Sequence, residues 1–325
     1  MRKLFAWIGT IAFGVLLAAG GASAQPVKMT IATGVDPAFS QFYVAKEAGI
    51  FAKNGLDVTI NTGPSGSAMV PFLINDQIQA AYGSDMAGVV NHNIDNNIVA
   101  VADGTYLLKW LSVVGKNMES LDGLKGKKLG IAMGTGSETF WSHVVEKKKL
   151  NAADYTLVNV EAPEMMAAIE RGDIDGFATW EPWPTRTLQG VKGTKILQDA
   201  EGIYNNINFV YMNRGWIEKN KETAVKFMKS LIEANDLIGK DRPAATQMVS
   251  KFLKMPLALA TELMPKVEFD MTWADRSVAA IKVAEEQLAK NKKLKAPVDY
   301  TKYVYPDLVK AVRPENVTMT ALPAK

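Results

Sequence analysis

The chain of 325 residues contains no cysteine. Structural disulfides, thiolate metal sites and cysteine nucleophiles are therefore excluded. Histidine is almost as scarce, with only His92 and His143. A histidine-rich zinc site cannot be built from two, and a Ser-His-Asp triad would have to use one of them. There is no excess of either charge. The 37 basic and 34 acidic residues give a net of +3, and no basic stripe with interleaved aromatics appears, so nucleic acid is not an expected partner. Low-complexity tracts are absent, and the only long apolar run is at the N-terminus.

That run sets the expected compartment. Arg2 and Lys3 precede a short apolar core over 8–17, and Ala22-Ser23-Ala24 has the small-x-small form of a cleavage site. The pattern is that of a secretory signal peptide over 1–24, cut after Ala24, with no stop-transfer pattern following. Removal of Arg2 and Lys3 leaves 35 basic against 34 acidic residues, a net of about +1. A soluble periplasmic protein is the expectation.

Apolar residues make up 48% of the chain, and its length allows two core-bearing lobes. From Val27 the pattern alternates. "VKMTIAT", "LDVTIN", "IQAAYG" and "NIVAVADG" read as strands separated by helices, the first helix spanning 39–53 and ending before Gly55 in a left-handed cap. The rhythm restarts after "LDGLKG" with strands "KKLGIAM", "YTLVNV" and "IDGFATW". After "NFVYMN" the stretch 219–294 reads as nearly all helix, broken at Pro243, Pro256 and Pro265. Alternating short strands and helices specify an α/β class with parallel units. Crossings near 111–114 and 209–212 divide the chain into a first lobe (25–112 with 211–325) and a second (113–210). A cleft between lobes is a preferred seat for a small ligand, and a hinge there permits closure.

Polar residues recur where strands end and helices begin. "MGTGSETF" lacks the third glycine of a dinucleotide fingerprint and the lysine of a phosphate loop. It leaves a helix start carrying Ser137, Glu138 and Thr139, which reads either as a capped helix or as a ligand contact. Ser40 and Gln41 follow the turn after the first strand, with Phe39 before them. Ser65, Gly66 and Ser67 follow the second, and Ser84 and Asp85 the third. "ATWEPW" sets Trp180, Glu181 and Trp183 at a strand end, where ligands of α/β sheets gather. Each turn alone is equally a cap; their repetition in both halves favours a ligand. Catalysis finds little footing. His143 follows Ser137 and Thr139 on one helix, without a nucleophile elbow or a third member. The close pairs Glu161/Glu164 and Asp173/Asp175 read as solvated.

The stretches "VDPAFSQFYVAKEAGIFAKNGLDV", "SGSAMV", "IQAAYGSD", "LDGLKGKKLGIAMGTGSETF", "AAIERGDIDGFATWEPW" and "VDYTKYVYPDLVKAV" run in order through nearly the whole chain after residue 24. With them the chain resembles the periplasmic solute-binding proteins of ABC importers for sulfonates, taurine, nitrate and pyrimidine thiamine precursors. The resemblance implies a two-lobed, type II-like periplasmic binding protein fold with the ligand between hinged lobes. It implies a monomeric, non-enzymatic protein without metal or cofactor, which delivers a small organic solute to an inner-membrane permease and its ATPase. It also carries a ligand set onto this chain: Phe39, Gln41, Ser67, Ser84, Asp85, Ser137, Glu138, Thr139, Trp180 and Glu181. Asp85 and Glu138 stand where taurine- and sulfonate-type relatives tend to have small hydroxyl residues. A carboxylate would repel a sulfonate, so either these two point away or the ligand bears an amine, as taurine and pyrimidines do. A pyrimidine-synthase-like enzyme of the same fold would carry a cysteine-rich motif, which is missing here. A ligand-sensing adaptor is the other alternative.

Overall fold

The computed structural model describes residues 25–323; the expected signal peptide lies outside them. Among the described residues eleven strands form two separate sheets. The first sheet holds β1 (Val27–Thr33), β2 (Leu56–Thr62), β3 (Ala80–Ser84), β4 (Ile98–Leu107), β10 (Asn206–Asn213) and β11 (Val267–Thr272) in the order β11-β4-β10-β3-β1-β2. The second holds β5 (Leu111–Lys116), β6 (Lys128–Ile131), β7 (Thr156–Asn159), β8 (Gly176–Trp180) and β9 (Thr194–Asp199) in the order β7-β6-β8-β5-β9.

The two sheets share one plan. In each, three parallel strands lie side by side, β2-β1-β3 and β7-β6-β8. In each, an antiparallel strand follows next to the third, β10 in the first sheet and β5 in the second. The inserted strand follows a crossing from the other sheet. Segment 108–110 joins β4 to β5, and 200–205 joins β9 to β10. The whole of β10 therefore belongs to the first sheet, and the second crossing precedes the stretch 209–212.

Each sheet has its own core. Phe42, Tyr82, Phe209, Tyr211, Phe227 and Trp273 are buried in the first, and Val113, Phe140, Ile169 and Phe177 in the second. Helix Lys221–Lys240 returns to pack on helix Ser40–Glu47, and helix Asp275–Lys290 packs on Asp85–Ile94. Helix Leu257–Leu263 instead gives Leu259, Ala260 and Leu263 to the second core, so the C-terminal region ties both sheets together.

Two expectations are corrected. The stretch 219–294 is not all helix, because β11 pairs antiparallel with β4 at the sheet edge. Pro265 lies within the short turn Met264–Lys266 that leads into β11, where Val267 and Met271 turn inward while Glu268 stays exposed. The first helix is broken into Ser40–Glu47 and Ile50–Lys53 by Gly49, which takes φ 68°. Gly55 adopts φ 76° as expected of a left-handed stop. Among the described residues no helix is long and apolar enough to cross a membrane.

Candidate functional site

The carboxyl ends of β1, β2 and β3 face those of β6 and β8 across a small cavity. From the first sheet come Asp36 and Phe39 after β1, Ser65-Gly66-Ser67 after β2, Ser84 at the end of β3, and Asn206 and Asn208 on β10. From the other side come Thr135 and Gly136 after β6 and Trp180 at the end of β8, with Trp110 and Leu111 from the first crossing. Ligands gather at such strand ends because the connecting turns leave backbone groups and short polar side chains free to converge.

One wall is polar. Ser65 caps the helix that follows, accepting from the Ala68 N–H at 3.1 Å, and its own proton is left to donate. The Ser67 and Ser84 hydroxyls are hydrogen-bonded at 2.9 Å. Thr135 donates to the Ala132 carbonyl at 2.7 Å and accepts from the Ser137 N–H at 3.2 Å. Asn208 is almost completely buried, yet its amide makes no hydrogen bond within the described chain. Its amide opens on the cavity and is left to bond whatever enters. Phe39, Trp110 and Trp180 add three aromatic rings to the lining, Phe39 lying against Gly66 of the polar loop.

Gly66 allows this wall to form. A Cβ there would lie 2.2 Å from the Tyr82 carbonyl oxygen and 2.7 Å from the Phe39 ring. The loop thus lies backbone to backbone on β3, which brings Ser65 and Ser67 up to Ser84. Gly66→Val is expected to push this loop off the strand, costing about 1–3 kcal/mol of stability and at least tenfold in ligand affinity. Urea denaturation and calorimetric titration measure the two, and an unchanged affinity would refute the assigned role of the loop.

The cavity has a single ionisable side chain, Asp36, and no lysine, arginine or histidine among its lining residues. Asp36 caps the turn Pro37–Phe39 by accepting from the Ala38 N–H at 3.0 Å. Burial pushes its carboxyl up to about 8, against the opposing effects of the Ala38 N–H and the Trp180 side chain.

Of the residues expected from the sequence, the fold brings Phe39, Ser67, Ser84 and Trp180 to the cavity. The others lie outside its lining, each held by partners within the chain. Gln41 faces the first core, donating to the Gly104 carbonyl at 2.7 Å and accepting from the Tyr82 hydroxyl at 3.3 Å. Asp85 accepts from the Tyr204 hydroxyl at 2.8 Å, the Asn206 amide at 3.2 Å and the Met86 N–H at 2.7 Å. Ser137 donates to the Ala178 carbonyl and accepts from the Ala132 N–H, tying its helix to the sheet. Glu138 turns back to the Gly134 N–H at 2.8 Å and to Lys293 at 2.5 Å. Thr139 lies against the Met86 sulfur. Glu181 is paired with Lys266 at 2.6 Å and accepts from the Thr185 hydroxyl at 3.0 Å. Trp183 stacks under Arg186 and is also outside the lining. His143 stacks on Tyr204 rather than meeting Ser137.

Sequence reasoning missed Asp36, Trp110, Asn206 and Asn208. Asp36 was visible as an Asp-Pro pair at the end of a strand. In "NNINFV" the alternation of Asn206 and Asn208 with Ile207 and Phe209 marks a polar strand face in an otherwise apolar run. Trp110 had no local signal, because a crossing segment has no period.

A putative aliphatic sulfonates-binding protein of Bacillus subtilis is 25% identical over 258 residues, covering 73% of this chain and 77% of that protein. The taurine-binding periplasmic protein of Escherichia coli is 28% identical over 222 residues, 65% of this chain and 66% of that protein. The two-sheet architecture matches the alkanesulfonate-binding protein SsuA from Xanthomonas axonopodis pv. citri, bound to MOPS, with a TM-score of 0.73 at 17% identity over 92% of this chain and 100% of that one. That likeness establishes a shared periplasmic binding protein fold. The family described as NMT1/THI5 like matches residues 36–242, which carry Asp36, both polar loops, both crossings and Trp180. With more than half of its length, and nearly the whole cavity, inside that match, the chain belongs to the NMT1/THI5-like family.

Proposed function

We propose that this protein is the substrate-binding subunit of an ABC importer, capturing a small organic solute in the periplasm and delivering it to a membrane permease. The observation that carries the reading is the cavity itself. It is walled by strand ends of both sheets and lined by hydroxyl and amide groups together with three aromatic rings. Such a site holds a small molecule that has a polar end and an apolar body. It contains no nucleophile–base pair, and among the described residues no three potential metal ligands cluster. Relatives named for sulfonate and taurine binding favour a taurine- or sulfonate-like ligand. A pyrimidine or other nitrogenous solute is the second choice, because the one ionisable group in the cavity lining is an acid.

Closure would turn on segments 108–110 and 200–205, the two connections between the sheets. A monomer acting with the permease and its ATPase is the expected assembly.

Thermal unfolding against taurine, alkanesulfonates, nitrate and aminomethylpyrimidines tests the proposal. A ligand present at about 100 times its dissociation constant adds about 2.7 kcal/mol of stability, a shift of several degrees. Trp180→Ala is expected to raise the dissociation constant of the active compound at least tenfold, about 1.4 kcal/mol, while the far-UV spectrum is retained. Unchanged affinity would remove Trp180 from the site. Turnover of any compound in the panel would make the protein an enzyme.

A further inference from the structure

The charge balance of the cavity is unusual for a site meant to receive an anion. Asp36 is its only ionisable group and is 3% exposed. Three lysines beside the site or in the crossings are already engaged: Lys266 with Glu181 at 2.6 Å, Lys293 with Glu138 at 2.5 Å and Lys109 with Glu201 at 2.7 Å. Arg242 donates to the Met264 and Val267 carbonyls. The titratable groups that sense Asp36 are the phenols of Tyr43 and Tyr82, both buried and held neutral by burial. Among the described residues Asp36 therefore has no counter-charge. One of its oxygens receives the Ala38 N–H at 3.0 Å, and the Trp180 side chain is its other partner.

An anion placed in this cavity would meet a carboxylate or force it to stay protonated. A cation would meet a carboxylate and the faces of Phe39, Trp110 and Trp180, which attract positive charge through their π systems. Other lining groups can take the other end of the same molecule: the Ser65 proton, the unpartnered Asn208 amide and the Gly136 N–H at the start of helix Gly136–Lys147.

We propose that Asp36 is the counter-ion for a protonated amine of the bound solute, seated among Phe39, Trp110 and Trp180, while Ser65, Asn208 and Gly136 hold the solute's polar or anionic end. The ligand is then a small amine-bearing molecule, a zwitterion where its other end is acidic. This inference rests on the binding-protein reading above and deepens it. Its acceptor differs from the acids singled out by sequence, Asp85 and Glu138, both of which are hydrogen-bonded inside the chain.

Calorimetric titration of wild type and Asp36→Asn with four probes decides the matter. Taurine carries amine and sulfonate, 2-hydroxyethanesulfonate carries only the sulfonate, and 2-aminoethanol and aminomethylpyrimidine carry only the nitrogen. Asparagine keeps an oxygen to accept from Ala38, so the turn survives, and circular dichroism checks this. Wild type is expected to bind an amine-bearing probe at least tenfold tighter than 2-hydroxyethanesulfonate. Asp36→Asn is expected to abolish that preference. Equal binding of taurine and 2-hydroxyethanesulfonate, or a preference that survives Asp36→Asn, overturns the proposal and leaves the sulfonate reading intact. Asp36-dependent binding of the sulfonate-free amines alone supports the proposal and overturns the sulfonate reading. Failure of every amine-bearing probe to bind overturns the proposal whatever the sulfonates do.

Discussion

Lys266→Met is expected to destabilise the protein by about 3 kcal/mol. Glu181 follows directly on β8 of the second sheet, and its side chain is only 2% exposed. Lys266 precedes β11 of the first sheet and reaches it at 2.6 Å. Removal of one partner from a buried pair leaves the other charged and without compensation, which costs about 3–5 kcal/mol. Lys266 is itself about one-third exposed, so the lower end of that range applies. The Thr185 N–H at 3.2 Å and hydroxyl at 3.0 Å soften the loss without replacing the charge. Urea denaturation measures the change. The double variant Glu181→Gln, Lys266→Met is expected to recover most of it, because the stranded charge is gone. A double variant as unstable as the single one would mean that Lys266 acts through packing of its stem. The pair also bridges the two sheets one residue from Trp180, so the single variant should weaken ligand binding as well as folding.

That bridge bears on what the sequence could and could not convey. Strand ends were legible because hydrophobic alternation stops abruptly at "IATGVD", "AAYGSD" and "GIAMGT". The α/β plan followed from the same breaks. What a strand end does not convey is which way its side chains leave it. Phe39 and Gln41 both follow β1, two residues apart, yet Phe39 lines the cavity and Gln41 is sequestered under Tyr82. Ser67 and Ser137 both open helices, yet Ser67 borders the cavity and Ser137 is anchored to Ala178. The difference arises from partners distant in sequence. Asp85 is turned to Tyr204 and Asn206 because the chain returns from the second sheet at that point, more than a hundred residues later. The strand β11 was hidden for a similar reason. Its "VEFDMT" alternation is short and follows four helices, and only pairing with β4 makes it a strand.

Stability of the ligand-free protein is expected to fall as the pH rises from about 4 to about 8. Burial lifts Asp36 to about 8 and Asp85 to about 7; hydrogen bonds from Ala38 and Trp180, and from Tyr204 and Met86, only partly oppose it. In the unfolded chain both return to the ordinary aspartate value near 3.9. Between the two values the folded state holds a proton that the unfolded state has lost. Folding then takes up protons, and the stability falls by about 1.4 kcal/mol per pH unit for each such group. Asp36 alone should account for about 3 kcal/mol between pH 5 and pH 7. Asp103, lifted to about 7 by burial against the pull of Arg276, acts in the same direction. Exposed ion-paired acids such as Glu222 oppose this trend, but only below the ordinary carboxylate range. Urea denaturation at pH 5, 6, 7 and 8 reads the slope, and Asp36→Asn should flatten it by about one group's worth. A stability that rises with pH over this interval would show that Asp36 and Asp85 are ionised in the folded protein. The same proton links stability to capture of the solute. A ligand amine that ionises Asp36 displaces nearly one proton at pH 7, so the heat of binding should differ between phosphate and Tris buffers by close to the difference in their ionisation heats. Asp36→Asn should erase that difference, whereas a ligand that leaves Asp36 protonated would show none in either protein.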